Sequence, residues 1–83
     1  MTRKEIMRES LRAHPITEEW KKQVRVAAQN GFWSTSIPID RDDVDTIYIM
    51  EQWVRYYGFD YEAERMPQQH FVRYEISWNF NLN

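Results

Sequence analysis

The chain has 83 residues, 42% of them apolar and 29% charged, with a net charge of −2 and no cysteine. This length gives one domain whose single core is barely sufficient, and the missing thiols exclude disulfides and thiolate metal sites. The weak negative charge excludes a basic track for duplex phosphate and a highly acidic mimic of DNA, and no stretch approaches the ~20 apolar residues of a membrane span. The first fourteen residues, MTRKEIMRESLRAH, lack the apolar run of a signal peptide. A soluble, cytoplasmic protein is expected, with no membrane contact and no cofactor.

Thr2 with Glu5 has the spacing of a capping box, and Ile6, Met7 and Leu11 form a short apolar stripe. This first helix must stop near His14, because a residue before proline is pushed out of the helical region. Thr17 is expected to cap a second helix, with Glu18 and Glu19 where the dipole favours negative charge. Trp20, Val24, Ala27 and Ala28 share one face of it, opposite Lys21, Lys22, Arg25 and Gln29. Asn30-Gly31 is a stop, glycine being the residue that takes left-handed dihedrals without strain. In the first strand Trp33, Thr35, Ile37 and Ile39 alternate with Ser34 and Ser36, and Pro38 puts that strand on a sheet edge or at its own end.

Residues 40–58, DRDDVDTIYIMEQWVRYYG, read as a long helix with apolar residues on two sides. Val44, Ile47, Met50, Val54 and Tyr57 recur at steps of three and four. At about 100° per residue, Ile49, Trp53 and Tyr56 are expected roughly opposite that stripe. A helix in so small a protein faces its own core once. The second stripe therefore points either to the N-terminal helices or to another molecule.

Gly58 ends this helix. Phe59, Tyr61 and Ala63 alternate with Asp60, Glu62 and Glu64 in a second strand. Val72, Tyr74, Ile76, Trp78 and Phe80 alternate with Arg73, Glu75 and Ser77 in a third, after a turn at Met66-Pro67-Gln68-Gln69. The two strands share one apolar face only if directly opposed residue numbers have an odd sum. A turn centred between Pro67 and Gln68 opposes Tyr61 to Tyr74, Ala63 to Val72 and Glu62 to Arg73; a sum two units larger keeps the same faces. The expected architecture is a two-layer α+β domain of order ααβαββ. Residues 1–31 form a helical pair and 32–83 a βαββ unit. A right-handed crossover makes the first two strands parallel in a three-stranded mixed sheet, with the helices on one face.

Catalytic and metal signatures are weak. The run Asp40, Asp42, Asp43, Asp45 invites a calcium loop, but Val44 and Asp45 stand where that loop needs an oxygen ligand and a glycine; crowded carboxylates at a helix start suit capping instead. His14 and His70 belong to no metal-binding spacing, so any site would need distant partners. Ser34 and Ser36 have no neighbouring base, and neither glycine sits in a phosphate-binding loop. No catalytic, metal or cofactor residue is expected, and the chain is not expected to be an enzyme. Tyr48, Trp53, Arg55 and Tyr56, with Lys21, Lys22 and Arg25, could form a stacking platform for single-stranded nucleic acid, against which stands the acidic sheet face.

The fragments VAAQNGFWSTSIPI, WVRYYGFDYE and VRYEISW resemble a group of small phage-encoded α/β proteins, largely uncharacterised. The resemblance implies a viral accessory or structural protein and transfers no functional residue. The reading that follows is a non-catalytic interaction module binding a host or viral protein, or its own copies, through Ile49, Trp53 and Tyr56 with Tyr48 and Gln52 beside them. Under that reading Trp53→Ala weakens partner binding and leaves the fold largely intact. The rivals are a self-assembling virion component and a binder of single-stranded nucleic acid or a nucleotide.

Overall fold

The computed structural model describes residues 1–78. The expected place of Phe80 on the last strand, and the further apolar Leu82, lie outside the described residues. In chain order the elements are α1 (Arg3–Arg12), α2 (Ile16–Gln29), β1 (Ser34–Asp40), α3 (Val44–Tyr57), β2 (Asp60–Arg65) and β3 (Phe71–Ser77). No described helix is long and apolar enough to cross a membrane.

Local chemistry sets most boundaries. The Thr2 hydroxyl accepts the Glu5 N–H at 3.2 Å and opens α1. Thr17, expected to cap α2, turns the other way: its hydroxyl lies 2.8 Å from the His14 carbonyl and 3.0 Å from that of Leu11. The connection is so short that the last carbonyls of α1 need a donor more than α2 needs an acceptor. Asp43 caps α3, accepting the Thr46 hydroxyl at 2.6 Å and the Thr46 N–H at 3.1 Å. Those two bonds, the hydroxyl first, hold its carboxyl below the ordinary range. Gly58, at φ 71°, closes α3, and the Phe59 N–H returns to the Val54 carbonyl at 3.0 Å.

The sheet order is β1-β3-β2 with both pairs antiparallel. This corrects the expected mixed sheet: β1 and β2 point the same way but do not touch, because β3 lies between them. The reason is burial. Val72, Tyr74 and Ile76 of β3 are all buried, whereas β2 half-buries only Tyr61. The strand with most to hide takes the centre. β1 lies on an edge, as Pro38 demands. The Trp78 N–H bonds the Trp33 carbonyl and the Arg41 N–H the His70 carbonyl, so by alternation Pro38 turns its missing donor outward.

The β2–β3 register is two units larger than the turn centre suggested. Tyr61 opposes Ile76, Ala63 opposes Tyr74 and Glu64 opposes Arg73. The connection extends to His70 instead of ending at Gln69, and parity holds, so no apolar set changes face. Glu62 is thereby left across from Glu75, a like-charge pair.

One buried cluster joins the sheet to the helices. Ile37, Ile39, Val72, Tyr74 and Ile76 meet Met50, Trp53 and Val54 of α3, Trp20 of α2 and Leu11 of α1. Burial and Glu51 push the Tyr74 hydroxyl above its ordinary value of 10.0. A raised folded value means that Tyr74's share of stability is complete below pH 10.0 and is lost as pH rises through the folded value. Stability measured by urea unfolding between about pH 9 and pH 11 is expected to fall faster for the native chain than for Tyr74→Phe. Equal slopes would show that Tyr74 is not shielded.

Candidate functional site

The expected interface on α3 is largely interior. Trp53 is 2% exposed, with its ring 5.6 Å from Trp20 and 5.4 Å from Phe59. Ile49, Gln52 and Tyr56 are half-buried, and of the five expected residues only Tyr48 is exposed, at 64%. The two apolar sets are not opposite each other. From Tyr56 through Trp53 and Met50 to Ile47 they form one continuous arc of about 180°. The sheet takes one flank of that arc and the N-terminal helices the other. Tyr56 is further claimed by α1, where Arg8 Nε donates to its hydroxyl at 3.1 Å and Lys4 lies 5.9 Å from its ring centre. With Trp53 enclosed, the stacking platform for nucleic acid loses its centre as well.

Exposed apolar surface gathers elsewhere. Phe32 and Trp33 are each 63% exposed, and Val26 on the last turns of α2 is 46% exposed. The two aromatic residues are held on a rigid corner. The Phe32 N–H bonds the Ala27 carbonyl at 3.0 Å, Gly31 takes φ 85°, and the Trp33 carbonyl accepts the Trp78 N–H at 3.1 Å. Val26, Ala27 and Phe32 also line an open groove of about 700 Å³ along the outer edge of β1. Gln23 crosses that groove, donating to the Ser36 carbonyl at 2.9 Å and to the Thr35 hydroxyl at 3.0 Å. The groove's far wall is polar, and there the Ser36 hydroxyl donates to Glu75.

Two polar constellations form only in three dimensions. His70 Nε2 lies 2.8 Å from Asp42 and 3.3 Å from Asp40, and all three side chains are well exposed. One donor atom from each falls within 4.8 Å of the others, an arrangement able to hold a divalent cation. The acidic run was expected to serve capping. Asp43 does so, while Asp40 accepts the Asp42 N–H and both face the histidine. Second, a cleft of about 270 Å³ opens where α1 and α2 meet α3. Arg8, Arg12 and Lys21 stand around it, and Trp53, Tyr56 and Tyr57 form its aromatic side.

No family model matches this chain, and neither does any curated protein or solved structure compared with it. The arrangement of its own side chains therefore carries the functional reading. Sequence reasoning missed the Phe32–Trp33 corner by counting Trp33 as an inward strand residue. The available signal was adjacency: two neighbouring aromatic residues after a glycine stop go to opposite faces, so at least one must face away from the core.

Proposed function

We propose that this protein is a non-catalytic interaction module, phage-encoded as its resemblance suggests, that binds a host or viral protein through the Phe32–Trp33 corner. The observation that carries this reading is two large adjacent rings, each 63% exposed, on a backbone pinned by hydrogen bonds to Ala27 of α2 and to Trp78 just after β3. A bare apolar patch on a small chain has a cost in solubility, and aromatic side chains, which have few rotatable bonds, lose little entropy when they are covered. The contact surface thus moves from the outer flank of α3, which the N-terminal helices occupy, to the end of α2 and the start of β1. The phage-like fragment VAAQNGFWSTSIPI spans this same corner.

The test is the double substitution Phe32→Ser, Trp33→Ser. Both side chains are outside the core, so cooperative thermal unfolding is expected to survive. Affinity for a partner captured by the native chain is expected to fall at least about thirtyfold, as for a hot-spot pair. Undiminished capture of that partner by the double variant would sink the reading. Light scattering on the two proteins decides whether the covering surface is a second copy, in which case the native chain is dimeric and the variant monomeric.

A further inference from the structure

We infer that the cleft between the N-terminal helices and α3 binds a small phosphate monoester carrying an aromatic ring, a mononucleotide being the simplest such molecule. Arg8 and Arg12 are four residues apart on α1 and so share one of its faces, while Lys21 comes from α2. Among the described residues, no carboxylate oxygen comes within 4.0 Å of any of the three. Glu18 is the one acid on the cleft wall, so these four side chains carry a net charge of about +2 in a protein whose total is −2. Three cations on the wall of one concavity, which Leu11, Trp53 and Tyr57 also line, focus positive potential into it. A dianion is favoured there.

Phosphate fits the donor set better than a lone carboxylate does. Guanidinium forks pair with two oxygens at once, and three cations match a doubly charged group. Arg8 is already oriented, because its Nε is spent on the Tyr56 hydroxyl and its terminal nitrogens remain for a ligand. The Tyr57 ring, 44% exposed, offers a planar surface beside the charges. Size narrows the class further. About 270 Å³ falls just below the usual span of ligand sites, about 300 to 1,000 Å³, so the cleft suits at most one nucleotide and not a chain of them.

The experiment is a heteronuclear NMR titration of the intact chain with AMP, ribose 5-phosphate and adenosine in parallel. AMP is expected to shift the Trp53 indole and α1 amide signals with a Kd below about 1 mM, weakening as salt rises. Ribose 5-phosphate and adenosine are each expected to bind about tenfold less tightly. Arg12→Ala and Lys21→Ala, both at exposed positions, are each expected to raise the AMP Kd about tenfold without lowering the melting temperature. The Phe32→Ser, Trp33→Ser variant should bind AMP as the native chain does, which separates this site from the protein-binding corner. Absence of shifts at 10 mM AMP (about ten times the expected Kd), AMP binding no tighter than ribose 5-phosphate, or affinity indifferent to both cation deletions would each overturn the inference.

Discussion

Trp53→Ala is expected to cost about 3–5 kcal/mol of folding stability, the range for deleting a fully packed large aromatic side chain. Trp53 is 2% exposed and has Trp20, Tyr57 and Phe59 within 5.6 Å between ring centres. Those rings come from α2, from the end of α3 and from the residue just before β2. The cavity therefore opens where three segments meet, and no one of them can collapse into it alone. A domain of this size has about 5–15 kcal/mol in total, so the variant should melt tens of degrees lower or fail to fold. Urea and thermal unfolding followed by far-ultraviolet circular dichroism measure this directly. A loss below about 1 kcal/mol would mean that the ring is not enclosed. Lost partner binding in this variant says nothing about an interface, because the Trp20–Trp53 packing that ties α2 to α3 goes with it.

Ile76→Ala is expected to have the next largest effect, about 2–5 kcal/mol. Ile76 has no exposed surface and stands between Thr35 of β1 and Tyr61 of β2, at the centre of the sheet. On the edge strand β2, Glu62→Ala provides the contrast. It removes an exposed carboxylate directly across from Glu75, so its effect is expected to be a gain of no more than about 0.5 kcal/mol. Equilibrium unfolding in urea ranks the two. A small loss at Ile76 would be incompatible with β3 as the middle strand.

The helical ends and strand faces were legible because their causes lie within a few residues. Thr2, Asp43 and Gly58 act on backbone groups no more than one turn away, and alternation along 72–76 needs no knowledge of the neighbouring strand. Strand order was harder. A right-handed crossover is compatible with β1 and β2 adjacent or with a third strand inserted between them, and only the comparative burial of β2 and β3 separates the two. Thr17 shows the same limit on a smaller scale: its spacing to the next helix suggested a cap, while the carbonyls it satisfies belong to the helix before.

The candidate sites divide in the same way. The sequence by itself determined the α+β class, the element order, the faces of each strand and the presence of more aromatic side chains than a flat sheet face can cover, since these follow from periodicity and local hydrogen bonding. Only the tertiary structure decided which aromatic rings are covered. It placed α1 and α2 against Trp53 and Tyr56, and left Phe32 and Trp33 outside. It also brought His70 to Asp40 and Asp42, and Lys21 to Arg8 and Arg12. The physical reason is that burial and charge clustering depend on how layers dock, and docking is set by the sum of many weak contacts between segments distant in the chain.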